Sequence, residues 1–594
     1  MRTFLKNVFK QGMLTLASML FAVFFFYIIT IILLVAAGNT FSKSFPKSAI
    51  LVIDMDVSIP DAPLDSGPLG HMMGNNPFDG RIPLRTLTES IERAAKDKRI
   101  KGILLKGAGP WALDTGMNSV EEIRESLRSF QGSGKPVYAW LEDSGMRDYC
   151  LASVADEVWM HPMCFLGVEG FAAEKLFVGE AFERYGIRVQ TASAGGYKSA
   201  PDMFTRSDMS EPDREQLSVF IQDVWSYYAD SVFISRDVDR DALLGLSVDK
   251  GGVHAEEALA YGLIDRIGEE DELISTLSQL ADGVEDDVAF SSIDVADYAM
   301  EAKMKTTASQ HGSKVAVLYV EGEIVGGDGS WEQAGAARIV GKIRDLRSDD
   351  DVKAVVLRVN SPGGSALAAE QMRRELYLLA MDKPVVVSMG RMAASGGYWI
   401  SASASYIYAE PTTLTGSIGV FSLFMDVEKL AGNYGVTTDT VVTSPFADMY
   451  SSFSEKDVAE MALARRSVDT IYDQFLRIVS EGRDIAYDDV ATIAGGRIWS
   501  GQMALENGLV DELGSLDDAI SRAVQLAGLD KDHQVVDIGV SVSLSEQLGG
   551  LFGSHARAAL PMPESVQSAM GDFKGLSESR SVQARMPFFT SGAW

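Results

Sequence analysis

Ser395 lies in Gly390-Arg-Met-Ala-Ala-Ser-Gly-Gly-Tyr-Trp399, a run of small residues that follows an apolar, strand-like stretch. A serine at a strand-to-helix turn presents its hydroxyl at a helix N-terminus, where it can serve as a nucleophile. Small residues also serve tight packing, so Ser-Gly-Gly alone reads either way. Upstream, Arg358-Val-Asn-Ser-Pro-Gly-Gly364 ends another apolar run. Glycines there free backbone N–H groups to face a site and hold a developing oxyanion, although an ordinary strand-to-helix turn has the same look. Downstream, Pro411-Thr-Thr-Leu-Thr-Gly-Ser-Ile-Gly419 offers Ser417, which could orient a partner or cap a helix.

A serine nucleophile needs a base. In the second half of the chain the histidines are His311, His533 and His555, all in joining or tail segments. His71, His161 and His254 have no acidic partner at a telling spacing, which argues against a Ser-His-Asp triad. The other solution is a lysine whose pKa is lowered by burial until it accepts a proton near neutrality. Lys198 sits in Ala192-Ser-Ala-Gly-Gly-Tyr-Lys-Ser-Ala-Pro201, a stretch otherwise free of charge. A surface lysine on a loop is the plainer reading of that stretch taken alone.

The elements that must position these groups repeat along the chain. Ala49–Asp56 matches Val315–Gly322, and Lys101–Gly109 matches Lys353–Ser361. Lys135-Pro-Val137 matches Lys383-Pro-Val385, and Gly262-Leu-Ile-Asp265 matches Gly508-Leu-Val-Asp511. Four matches in the same order indicate a duplication with a period of about 250 residues. Within each copy, short β-branched runs alternate with helical patterns. Ala354–Val359 and Pro384–Ser388 read as buried strands, and Ala366–Met381 as a helix with Leu367, Met372, Leu376 and Leu379 inward. That is an α/β fold with mainly parallel sheets. Aligning the copies sets Met146 opposite Ser395, and Val441–Phe446, which has no lysine, opposite Lys198. Each copy thus holds half of one composite site.

Composition limits the alternatives. Lys and Arg number 53 against 83 Asp and Glu, a net charge of −30, which argues against a nucleic-acid partner. Two cysteines, Cys150 and Cys164, exclude a disulfide scaffold and leave their pairing open; no cofactor or metal is implied. Leu14–Ala37 is almost wholly apolar and follows Arg2, Lys6 and Lys10. It is long enough to span a bilayer, with the basic arm cytoplasmic and the body translocated. The expected organisation is 1–45 arm and anchor, 46–300 first α/β domain with Lys198, 301–313 joining segment, 314–540 second domain with Ser395, and 541–594 a poorly ordered tail.

Ala394-Ser-Gly-Gly-Tyr-Trp-Ile400, Leu414-Thr-Gly-Ser-Ile-Gly419, Gly195-Gly-Tyr-Lys-Ser-Ala200 and Gly496-Arg-Ile-Trp-Ser-Gly-Gln502 resemble the signal peptide peptidase A (protease IV) family in its long, duplicated form. The resemblance implies tandem Clp/crotonase-like domains and a Ser/Lys dyad of Ser395 and Lys198. It implies Ser417 bonded to the lysine, and Gly364 and Gly396 as oxyanion donors. It further implies a homotetramer on the periplasmic face of a bacterial inner membrane, degrading remnant signal peptides and other apolar peptides. Gly196 departs from the larger polar residue common before Tyr-Lys. Two rival readings are an acyl-CoA enzyme of the crotonase fold and a non-catalytic envelope scaffold. The membrane span and the lack of an acidic pair near Gly363–Gly364 weigh against the first. Retention of both Ser395 and Lys198 weighs against the second.

Overall fold

The computed structural model describes residues 45–65, 78, 80–107, 116–281, 290–306, 312–530, 532–541 and 582–586, with a few helical residues between 18 and 26. The expected anchor Leu14–Ala37 lies almost entirely outside the described residues; among those described, no helix is long and apolar enough to cross a membrane.

Apolar, β-branched runs build two mainly parallel sheets in which six parallel strands follow the same order, the second sheet also carrying Leu414–Gly416 and, antiparallel to it, Ile498–Ser500. In the first copy the order is Ser292–Asp294, Ala49–Asp54, Ile100–Gly107, Val137–Leu141, Glu157–Met160, Arg266–Ile267. In the second it is Gln534–Ile538, Lys314–Glu321, Val352–Ser361, Val385–Ala394, Tyr406–Ala409, Glu512–Leu513. Side-chain bonds repeat with the strands. Lys135 donates to the carbonyls of Ala94 and Asp97, each at 2.7 Å, and Lys383 to those of Leu346 and Asp349 at 2.7 and 2.6 Å. Buried Tyr149 donates to the Leu263 carbonyl, and buried Tyr398 to that of Leu509. Asp265 accepts from Val158 N–H and Asp511 from Ile407 N–H. The Lys-Pro-Val and Gly-Leu-(Ile/Val)-Asp matches are therefore the same structural joints made twice.

The helix after Gly364 runs Ala366–Ala380, with the Ser365 side chain accepting from Ala368 N–H. Met372, Leu376 and Leu379 are buried as expected, but Leu367 is 63% exposed. Ala368 is in phase with Met372 and Leu376 at i, i+4, i+8, whereas Leu367 is rotated about 100° away. Ala366, Ala368 and Ala369 take the inward places instead.

A third sheet joins the copies. Its order is Gln333–Gly335, Glu323–Val325, Gly363–Ser365, Gln583–Arg585, Val420–Asp426, Arg188–Ala194. The last strand comes from the first copy and pairs antiparallel with Val420–Asp426 over seven residues, from Ala194↔Val420 to Arg188↔Asp426. Two expectations need amendment here. The 301–313 segment begins inside the helix Val295–Thr306. The tail expected to be poorly ordered contributes the strand Gln583–Arg585, buried in this sheet.

Candidate active site

Ser395 follows the strand Val385–Ala394 and heads the helix Gly396–Ser401. Its backbone is at φ 55°, ψ −109°, a region side-chain-bearing residues avoid. Ser395 N–H donates to Gly416 O at 2.8 Å, and Trp399 N–H donates to Ser395 O at 2.8 Å, which hold the turn from both sides. Gly397 must be glycine because an added Cβ would lie 2.8 Å from Ser361 O. The strained turn fixes a fully buried hydroxyl at the head of the helix.

Lys198 reaches that hydroxyl through strand pairing and two pairs of glycines. Beyond Ala194, Gly195 at φ 104° lies against Gly495, where a Cβ would collide with the Gly495 carbonyl. Tyr197 N–H then donates to Gly495 O at 2.9 Å. A Cβ on Gly496 (φ 85°) would sit 2.6 Å from Lys198 Cβ and N, and one on Gly419 would sit 2.9 Å from Gly496 Cα. The lysine backbone is thus pressed into the second copy. Gly496→Ala should therefore displace Lys198 and lower kcat for peptide hydrolysis by about 10²-fold, since misplacement by about 1 Å can cost that much. Steady-state kinetics beside a thermal melt checks it; an unchanged kcat in a folded variant would refute this account of the lysine's placement.

Lys198 Nζ lies 2.8 Å from Ser395 Oγ, 2.9 Å from Ser417 Oγ and 3.1 Å from Ser417 O. Ser417, at φ 48°, is held by its N–H donating to Arg497 O at 2.7 Å. Burial pushes the Lys198 pKa well below the ordinary 10.5, because the ammonium is stripped of water. A neutral amine has two N–H donors and one lone pair. The two Ser417 oxygens accept the donors, and the lone pair is left for the Ser395 O–H. The described histidines are occupied elsewhere: His161 with Glu269, His254 with the Cys164 carbonyl, His533 with that of Asp530. Cys150 and Cys164 are free thiols.

Gly363 and Gly364 have φ of 92° and 155°. A Cβ on Gly363 would sit 2.5 Å from Gly396 N, and one on Gly396 would sit 3.2 Å from Gly364 N. The amides of Gly364 and Gly396 therefore border one small gap beside Ser395. Met146, the counterpart of Ser395, heads the helix Met146–Ala152 in the first copy.

A network behind the lysine had no signature in the sequence. Ser199 Oγ donates to Asp213 Oδ1 at 2.6 Å, and Lys175 Nζ lies 2.6 Å from Asp213 Oδ2 and 3.3 Å from Ser199 Oγ. Gln216 Nε2 donates to Tyr197 O at 3.3 Å, while its Oε1 accepts from Ile498 N–H at 3.1 Å. Asp213 is 1% exposed, so this ion pair braces the lysine loop from within. Asp213 and Gln216 are one turn apart on the helix Glu211–Arg236, a faint cue, and nothing in spacing pointed to Lys175.

The family model of peptidase family S49 matches residues 129–284 and 378–530, once in each copy. The chain belongs to peptidase family S49. Among its relatives, Protease 4 of Salmonella typhi is 34% identical over 548 residues, covering 90% of this chain and 87% of that protein. Protease 4 of Haemophilus influenzae is 35% identical over 468 residues, 76% of this chain and 74% of that protein. The chloroplastic serine protease SPPA of Arabidopsis thaliana is 31% identical over 517 residues, 86% of this chain and 75% of that protein. The S49 chain is a serine protease with duplicated domains, as the resemblance of its motifs implied.

Proposed function

We propose that this serine protease works through a Ser395/Lys198 dyad, on tandem Clp/crotonase-like units, as a membrane-anchored endopeptidase of remnant signal peptides and other apolar peptides. The observation that carries the reading is the 2.8 Å approach of a buried lysine from one copy to a buried serine from the other. Lys198 takes the Ser395 hydroxyl proton as Oγ attacks a peptide carbonyl. The amides of Gly364 and Gly396 stabilise the oxyanion, a single such donor supplying about 2.7–4 kcal/mol. Lys198 then protonates the leaving amine and activates the water that releases the acyl group. Ser417 orients the amine throughout. The uncharged Leu14–Ala37 behind a basic arm supports anchoring with the body on the periplasmic face of the inner membrane. A homotetramer rests on the family resemblance alone.

Hydrolysis of a fluorogenic, leucine-rich peptide by the purified full chain tests the reading through its pH profile. Lys198 is a base only when neutral, so kcat/KM should rise with pH as the ammonium deprotonates and vanish in acid. Burial depresses that pKa, so the ascending limb should lie well below 10.5. Lys198→Arg, which stays protonated throughout, should abolish the limb together with activity. A wild-type limb unchanged in Lys198→Arg would assign the base elsewhere.

A further inference from the structure

One turn of the fold is built twice with opposite charge. In the first copy the helix Leu84–Lys96 ends on Asp97, extended at φ −81°, ψ 117°; in the second, Ala336–Ser348 ends on Asp349, extended at φ −78°, ψ 107°. The carbonyls of Asp97 and Asp349 take the matching bonds from Lys135 and Lys383, and the turns lead into matching strands, Ile100–Gly107 and Val352–Ser361. Only the side chains differ. Lys96-Asp-Lys-Arg-Ile-Lys101 carries four bases and one acid, whereas Ser348-Asp-Asp-Asp-Val-Lys353 carries one base and three acids. Bases suit a helix C-terminus, but the second copy closes the same turn with aspartates, so the fold does not call for the lysines. A net charge of −30 does not favour them either.

The lysines of this turn face outward. Lys96, Lys98 and Lys101 are exposed, and among the described residues they make no ion pair. Asp97 and Glu301 are both engaged by Arg99 at 2.8 Å. Arg93, 3.8 Å above the Tyr298 ring, and Lys135 add two cations behind them, while exposed Glu92, one turn before Lys96, offsets one lysine. The chain also enters the body here. Ala49 N–H donates to Arg99 O at 2.9 Å, Ala49 pairs with Ile100, and Arg99 lies 5.9 Å over the Phe45 ring. Exposed Lys47 joins the group between Phe45 and Ala49. Phe45 comes eight residues after Ala37, the end of the apolar stretch, and eight residues reach at most about 29 Å when fully extended.

We propose that Lys47, Lys96, Lys98 and Lys101 form a docking surface for anionic lipid headgroups, which seats the first copy on the bilayer beside its anchor. The inference rests on the anchoring read above. A lysine close to an anionic surface strengthens binding about fivefold, and the attraction fades within a Debye length of about 10 Å. The tether makes the contact intramolecular, so a few lysines suffice. The acid-rich remainder of the body is repelled by the same lipids, which restricts the contact to this end.

Lysine footprinting of the full chain tests the docking. The chain is reconstituted from detergent into preformed vesicles of phosphatidylcholine, alone or mixed with phosphatidylglycerol. It is then labelled with a membrane-impermeant amine reagent and read by peptide mass spectrometry. With phosphatidylglycerol the four lysines should react at least about fivefold more slowly than in neutral vesicles. About 1 M salt, which shortens the Debye length to about 3 Å, should restore them. Lys353, exposed at the matching place in the second copy, should react alike in both. The triple variant Lys96→Gln, Lys98→Gln, Lys101→Gln should dock about 10²-fold more weakly and free Lys47, yet hydrolyse the fluorogenic peptide in detergent at the wild-type rate. Equal reactivity of the four lysines in the two vesicles, or slowing that salt does not reverse, overturns the docking; flotation of the chain with both vesicles then leaves the anchor standing. Flotation with the anionic vesicles alone overturns the anchor and supports the docking, and flotation with neither overturns both.

Discussion

Lys198→Ala in the full chain should lower kcat/KM for a fluorogenic leucine-rich peptide by at least about 10²–10⁴-fold, the contribution of a positioned general base. The chain should stay folded. Among the described residues, Lys198 makes its side-chain bonds only to Ser395 and Ser417, and its burial as a neutral amine costs free energy in the native state because the unfolded chain holds it charged. Losing it removes that cost along with some packing. Ser395→Ala should be as severe, and the double variant no worse than either single one, because two groups acting as a unit are not additive. Circular dichroism and a melt separate chemistry from collapse. If folded Lys198→Ala cleaves as well as wild type, the lysine is a bystander and the mechanism fails, though membership of the family does not.

Arg358→Met should destabilise the protein by about 3–5 kcal/mol, the usual result of removing one partner from a buried ion pair. Arg358 is fully buried on the strand Val352–Ser361 of the second copy. Its guanidinium bonds Asp61 at 2.7 and 3.0 Å, Glu122 at 2.7 Å and Ser388 Oγ at 2.8 Å. Asp61 and Glu122 belong to the first copy, and Glu122 also accepts from Leu516 N–H at 3.1 Å. One cation therefore fastens the two copies across an acid-rich seam. Burial already raises the Glu122 pKa and pushes Glu410 well above the ordinary range; Glu125 is pushed up to about 7. The sign follows: an acid whose folded pKa is raised is tolerated while protonated and loses stability as pH rises through that pKa. The Arg358→Met defect should thus shrink as pH falls from 8 towards 5. Denaturant midpoints at the two pH values measure it. A midpoint equal to wild type at both would show that the seam does not depend on this residue.

How far these groups could be read from sequence depends on the range of the forces placing them. Ser395 was legible because a strained turn needs its own glycines, and Gly396-Gly397 follow it directly. Lys198 was legible only in combination: its uncharged stretch suits a surface loop as well as a buried amine, and it stands out because Ser395 needs a base and no histidine is placed to serve. The repeat was legible because each joint, such as Lys383 on the carbonyls of Leu346 and Asp349, needs particular residues at fixed spacing. Three features had no such local signature. Leu367 lies one position out of helical phase with the buried face, since three alanines fill the inward places at the first turn. Lys175 and Asp213 meet across a fold that brings distant segments together. Val582-Gln-Ala-Arg-Met586 has little strand character of its own; it is a strand because Gly363–Ser365 and Val420–Asp426 leave open edges for it. Pairing chosen by the partner is invisible in the segment that is chosen.

The antiparallel join of Arg188–Ala194 with Val420–Asp426 also bears on biosynthesis. A ribosome delivers the lysine long before the serine, and neither can meet the other until both strands have been released and docked. On the dyad reading, a growing chain therefore carries no working protease, however well its first copy has folded. With the proposed dyad divided between copies, a chain whose copies have not yet docked holds the lysine and the serine apart, and so is kept latent by its own incomplete folding.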